Sequence, residues 1–239
     1  MIAAVGLRRE ARLAADRVVT AITGGGDSRK LADALDAGVK AGASGIISFG
    51  VAGGVAPHLG PGAVVVARGV LTEDGTRVET DTTWRASLIA RLGGAIEDDL
   101  LGVDHVAAEA AAKAAFHRLT GAAALDMESH VAAAVAKRHD VPFAVVRVVA
   151  DAASRTLPHA AVVGMGSDGR IEFAAVLRSL ARSPHQLPGL IRIAKDSAVA
   201  FAALGRVRAL LGQGFGLLDL GELALDVPRK DELRWALPI

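Results

Sequence analysis

Short apolar runs alternate along the chain with longer, alanine-rich stretches whose apolar positions recur every three or four residues. The runs at 2–5, 45–49, 63–67, 122–125 and 143–150 are rich in Val, Ile, Leu and Ala, with almost no polar interruption. A strand that is apolar on both faces must be covered on both faces, so these read as strands of a buried sheet flanked by helices. Helical periodicity is carried by residues 9–22, 29–41, 83–92, 106–119, 129–139, 171–181 and 190–211. Gly24-Gly25-Gly26-Asp27 and Asp140-Val141-Pro142 have the composition of turns between such elements. No internal repeat or linker interrupts the alternation, which predicts a single α/β domain over 1–239 with a mixed, mostly parallel sheet.

The segment 190–211 differs from the other helical stretches. Its charges Arg192, Lys195, Asp196 and Arg206 fall near one stripe, leaving a wide apolar face of Leu190, Ile191, Val199, Phe201 and Leu204. Packing against the core is the first expectation for such a face; a lipid-like substrate, a membrane surface or a second subunit are the alternatives. Residues 217–239 are mixed in pattern and predict no definite element.

Composition narrows the function. Of 239 residues, 51% are hydrophobic and 22% charged, which excludes a disordered or low-complexity chain. Aromatics amount to 3% with no Tyr, and the formal charge is +1, so neither base stacking nor a basic field favours a nucleic-acid partner. A small-molecule substrate is expected. With no Cys, disulfides, thiolate metal sites and cysteine nucleophiles are excluded, and a cytoplasmic setting is expected. The N-terminus lacks the charged start of a signal peptide, and no apolar window reaches the roughly 18 residues of a membrane span.

The seven His show no metal-ligand spacing, and neither a G-x-S-x-G elbow nor a Walker loop is present. No metal or organic cofactor is expected. Gly164-Met165-Gly166-Ser167-Asp168-Gly169 matches G-x-G-x-x-G, but no acid follows about twenty residues later, so a plain turn is the better reading. A non-catalytic nucleotide-binding module is the alternative that this match keeps open. A stronger constellation joins three strand ends. Ser48 to Val55 runs from a buried strand into closely spaced glycines, Leu125-Asp126-Met127-Glu128-Ser129 places acids where a helix begins, and Arg147 to Asp151 is an apolar strand ending in an acid. Glycines let backbone N–H groups approach a ligand, and in a mostly parallel sheet these ends would share one crevice.

GVAGGVAPHLGPGAVVVA, ALDMESHVAAAVAKRHDVPFAVVRVVADAAS and the opening AVGLRREARLA together resemble the purine nucleoside phosphorylase and methylthioadenosine/S-adenosylhomocysteine nucleosidase superfamily over residues 2–155. D-M-E-S, G-L-R-R-E-A-R and the apolar composition are most similar to its hopanoid-associated phosphorylase branch. The resemblance implies a sheet curled partly toward a barrel, a homo-oligomer, and cleavage of the N-glycosidic bond of an adenosine-type nucleoside. In the hopanoid branch the 5′ carbon of that substrate carries a triterpenoid, which allows peripheral membrane contact. A methylthioadenosine or S-adenosylhomocysteine nucleosidase is the alternative within the superfamily.

By the same resemblance Asp151 matches the acid that protonates the leaving purine, and Glu128 the carboxylate that binds the ribose hydroxyls, with Met127 against the sugar. Gly50, Val51, Ala52, Gly53 and Val106 fall among the substrate contacts. Arg147 is either an ion pair anchoring the strand or a further ligand contact. Glu10 matches the position that orients an attacking water, while Arg8 and Arg9 occupy the region where phosphorylases hold phosphate. Val51 stands where relatives carry a hydroxyl, and Ala150 where many carry Ser before the acid. Two guanidinium groups outweigh one missing hydroxyl, which tips the expected nucleophile narrowly from water to phosphate.

Overall fold

The computed structural model describes residues 1–163 and 173–217. In chain order the elements are β1 (Ile2–Val5), α1 (Arg8–Ala14), β2 (Thr20–Thr23), α2 (Ser28–Lys40), β3 (Ile46–Gly54), β4 (Val64–Thr72), β5 (Arg77–Glu79), α3 (Thr82–Leu92) and β6 (Ile96–Gly102). They continue as α4 (Ala110–Thr120), β7 (Ala124–Asp126), α5 (Ser129–His139), β8 (Phe143–Asp151), α6 (His159–Val163), α7 (Phe173–Arg182) and α8 (Leu187–Leu211).

The eight strands form one mixed sheet that closes on itself. β3 pairs with β8, β8 with β4, β4 with β6, β6 with β7, and β7 returns to β3; β1 and β2 extend the sheet beyond β3. The β3–β8, β4–β6 and β6–β7 contacts are parallel, while β7–β3 and β8–β4 are antiparallel. This is the single α/β domain with a partly barrel-like sheet that the sequence predicts. Helices cover the sheet in two groups. Leu31 and Leu35 of α2 and Val131, Ala132 and Val135 of α5 pack with Ile46, Val65 and Val145. Trp84 and Leu88 of α3 and Phe201, Leu204 and Val207 of α8 pack with Ile47, Phe49 and Val146.

Several boundaries differ from the sequence reading. The helix expected over 9–22 ends at Ala14, and after a turn the chain enters β2 at Thr20. Val18, Val19, Thr20, Ile22 and Thr23 are β-branched and favour a strand, and Asp16 Oδ1 turns the chain by accepting from the amides of Val18 (2.7 Å) and Val19 (2.9 Å). β6 was hidden by the acids Glu97, Asp98 and Asp99. Each has a guanidinium partner on a neighbouring element: Arg85 with Glu97 (2.8 Å), Arg68 with Asp98 (2.6 Å) and Arg77 with Asp99 (2.7 Å). α8 buries Phe201 and Leu204 as expected, but Ile191 and Val199 of the same predicted face are about half exposed, at 50% and 51%. Among the described residues, no helix is long and apolar enough to cross a membrane. The motif Gly164 to Gly169 and residues 218–239 lie outside the described residues.

Candidate active site

Gly53 is where the three singled-out strand ends converge: its Cα pairs with Leu125 of β7 on one side and with Asp151 of β8 on the other. The register slips between Ala52 and Gly53, leaving Ala150 as the extra residue of a bulge. A bulge shifts the in–out alternation by one position and so re-aims Asp151 at the end of its strand. Gly50, Val51, Ala52 and Gly53 belong to β3, and the amide of Val51 is taken by Glu10.

Beside this junction lies a fully buried charge cluster. Arg147 projects from β8 with its side chain 1% exposed. Its Nη2 donates to Ser48 Oγ (2.6 Å) and Glu128 Oε2 (3.2 Å), and Nη1 donates to the Val51 carbonyl (3.3 Å). Nε stands 2.8 Å from Asp126 Oδ2 as an ion pair, though its N–H is not aligned for a hydrogen bond. Of the two expectations for Arg147, the anchoring ion pair is what these contacts form. Asp126 is in turn fixed by the start of α5, its Oδ1 accepting from the amides of Glu128 (2.9 Å) and Ser129 (2.7 Å). Sequence reasoning quoted Asp126 without giving it a role; an Asp two to three residues ahead of an apolar helix is the signal for such a cap.

Glu10 reaches this cluster from α1. It is 1% exposed. Oε2 accepts from the amides of Gly6 and Leu7 (both 2.8 Å), and Oε1 from the amide of Val51 (2.7 Å). An acid in the first turn that reaches back to free amides is a favourable N-terminal arrangement. Two glycines make room. A Cβ on Gly50 would lie 2.5 Å from Glu10 Oε1 and 2.7 Å from Arg147 Nη1, and one on Gly6 would lie 2.7 Å from Glu128 Oε1.

Three carboxylates therefore surround one guanidinium. Burial raises the Glu10 carboxyl above its ordinary value, opposed by Arg147 and the three amides. Glu128 is pushed up to about 7, by burial first and then by the charges of Asp126 and Glu10, with Arg147 pulling the other way. Such an acid exchanges its proton near neutral pH.

Asp151 sits apart from this cluster with different partners. Its Oδ2 accepts from Nζ of Lys113 on α4, whose side chain is 1% exposed. Burial raises the Asp151 carboxyl and Lys113 partly offsets that rise. Lys113 was missed by the sequence reading. Met127 is half-buried beside Gly26, and Val106, expected to open a helix over 106–119, lies instead in the segment before α4. Arg8 and Arg9 are both exposed, and the Arg9 guanidinium lies 4.1 Å over the Phe201 ring.

Residues 100–182 match the family model of the phosphorylase superfamily. No curated protein matches the chain in sequence. Among solved structures, a 5′-methylthioadenosine/S-adenosylhomocysteine nucleosidase from Neisseria meningitidis, in complex with methylthio-immucillin-A, is 17% identical. The match covers 87% of this chain and 96% of that one, with a TM-score of 0.59. The corresponding nucleosidase from Helicobacter pylori is 15% identical over 86% of this chain and 96% of its own, with a TM-score of 0.57. The S-adenosylhomocysteine nucleosidase from Streptococcus pyogenes is 21% identical over 64% and 84%, with a TM-score of 0.55. The segment 100–182 thus carries the phosphorylase-superfamily pattern, and the chain has the fold of these nucleosidases.

Proposed function

We propose that this chain is an enzyme that cleaves the N-glycosidic bond of an adenosine-type nucleoside and releases adenine, with water as the nucleophile. The single observation that carries the choice of nucleophile is the seating of Glu10. Its carboxylate already takes the amides of Gly6, Leu7 and Val51 and faces Arg147. Those are the donors that an incoming phosphate would need, and a second anion beside a buried carboxylate is repelled. Three of a carboxylate's roughly four acceptor sites are filled, which leaves one for the O–H of a water. Its raised pKa makes Glu10 a better base than an exposed glutamate. This outweighs the narrow expectation of phosphate drawn from Arg8 and Arg9, which are exposed.

In this reading the ribose lies against Glu128 and Met127. The Glu128 carboxylate accepts from the ribose hydroxyls, and its charge favours the cationic sugar of the transition state. Asp151 gives its proton to the purine as the bond to the sugar breaks. The 5′ substituent is assigned by resemblance to a triterpenoid; the soluble methylthio and homocysteine nucleosides named for the structural neighbours are the second reading.

The test is adenine release with and without added phosphate, using methylthioadenosine and a lipid-linked adenosine, with the sugar product weighed. Equal rates and a free sugar support the hydrolase. A phosphate-dependent rate and a sugar phosphate would return the nucleophile to phosphate. Asp151→Asn should lower turnover by about 10²-fold or more.

A further inference from the structure

Lys113 is a charged side chain buried in a helix that opens Ala-Ala-Ala-Lys-Ala-Ala-Phe. A buried ammonium is tolerated only when paired and fully hydrogen-bonded. All the acceptors that satisfy this one lie in a single short segment: Asp151 Oδ2, the Arg155 carbonyl (2.9 Å) and the Ala152 carbonyl (3.4 Å). Lys113 therefore spends its three N–H groups on the strand end that carries the candidate acid and on the turn after it. Among the described residues, the other charges facing Asp151 are Arg155 in that turn and Asp196 from α8, which pair with each other at 3.2 Å.

We propose that Lys113 is a positioning residue for the glycosidic-bond step: it holds Asp151 by Oδ2, so that Oδ1 carries and delivers the proton, and it stabilises the carboxylate left behind. The inference rests on the function proposed above. A carboxyl beside an ammonium is protonated on the oxygen facing away from it, which settles the direction of delivery without any movement of the side chain. As the bond between the sugar and the purine breaks, its electron pair stays with the purine. The proton on Oδ1 passes to the purine, and the nucleophilic water adds to the sugar and loses a proton to Glu10. Asp151 ends as a carboxylate beside a fixed positive charge. Interactions that strengthen as charge develops lower the barrier, and this one strengthens as Asp151 ionises. Burial pulls in the other direction, raising the carboxyl above its ordinary value and so favouring its protonated form.

The opposed effects give Lys113 a kinetic signature. An acid that must be protonated loses activity as pH rises through its pKa. Removing the ammonium raises that pKa, so the alkaline limb of the pH profile moves to higher pH while the proton transfer itself slows. In the full chain assayed for adenine release, Lys113→Met should lower kcat by about tenfold, change KM little, and shift the alkaline limb upward by about one pH unit. Lys113→Arg, which keeps the charge, should leave the limb in place. Lys113→Gln can still donate to the Arg155 carbonyl and repeats the measurement where Met disturbs folding. A neutral variant whose alkaline limb stays at the wild-type pH overturns the proposal, whatever its kcat. Asp151→Asn separates the two readings: if it abolishes turnover while the Lys113 variants keep the wild-type profile, only the role of Lys113 fails. If it keeps full activity, the assignment of the acid itself fails.

Discussion

The two charged regions of this molecule are built from the same residue types in different proportions. Around Arg147 three carboxyls, Glu10, Asp126 and Glu128, meet one cation, all of them buried. Around Asp151 two acids, Asp151 and Asp196, meet two cations, Lys113 and Arg155. In the first region, burial and the surplus of negative charge push Glu128 up to about 7. In the second, charges match in number, and burial, with a smaller push from Asp196, drives the Asp151 rise against the pull of Lys113 and Arg155. A surplus of acids raises the proton affinity of one of them, the carboxyl that the proposed function sets against the ribose. A matched set fixes one acid in place, as suits directed proton delivery.

The comparison breaks most severely at Arg147. Arg147→Met would leave three buried carboxyls facing one another without a cation, and removing one partner of a buried ionic group typically costs about 3–5 kcal/mol. The expected result in urea unfolding is a loss of that size near neutral pH, partly recovered as the pH falls and the carboxyls take up protons. No recovery in acid would mean that packing, rather than charge, is what Arg147 supplies.

Much of the first region is legible in the sequence, and much of the second is not. Glu128 and Arg147 lie in or beside apolar strands, where a charged residue stands out, whereas Glu10 is singled out by the family resemblance of the opening AVGLRREARLA. Lys113 gives no such signal, because a lysine in an alanine-rich helix looks like an ordinary solvent-facing position until α4 is packed on the sheet. The fold shows the same division. The strands that are continuously apolar are read correctly, whereas β6, with acids at 97–99, needs its arginines from β4, β5 and α3 before it looks like a strand. The glycines of β3 suggest amides open to a ligand, because their use in admitting Glu10 and Arg147 close to the backbone at Gly50 depends on side chains distant in sequence.

A milder perturbation sharpens the comparison by removing one acid from the surplus. With a folded pKa of about 7 against an ordinary 4.5, Glu128 holds a proton in the folded chain over a range where the unfolded chain has released it. Its contribution to stability is therefore full below about pH 4.5, declines as pH rises and is lost above about 7, a span worth on the order of 3 kcal/mol. Glu128→Gln should flatten that slope in unfolding curves taken from pH 4.5 to 7.5 while reducing turnover. A slope unchanged by the substitution would place the titration on Glu10 instead.

The smallest expected effect tests how the surplus is held together. Ser129 Oγ donates to Asp126 Oδ2 (2.5 Å) and lies 2.9 Å from Ser48 Oγ, which itself accepts from Arg147. The hydroxyl thus links the cap of α5 to the guanidinium, and both of its neighbours are buried. Ser129→Ala leaves Asp126 with the backbone amides of positions 128 and 129 and the Arg147 ion pair, so the acid stays in place. The loss should be that of one hydrogen bond to a charged group, about 1.5–3 kcal/mol, read as a lower urea midpoint at unchanged slope. The Asp151 region shares none of these contacts, so the alkaline limb of the activity profile should not move. A limb that moved with Ser129→Ala would mean that the two regions are coupled through β8, and that the proton on Asp151 responds to the charge held around Arg147.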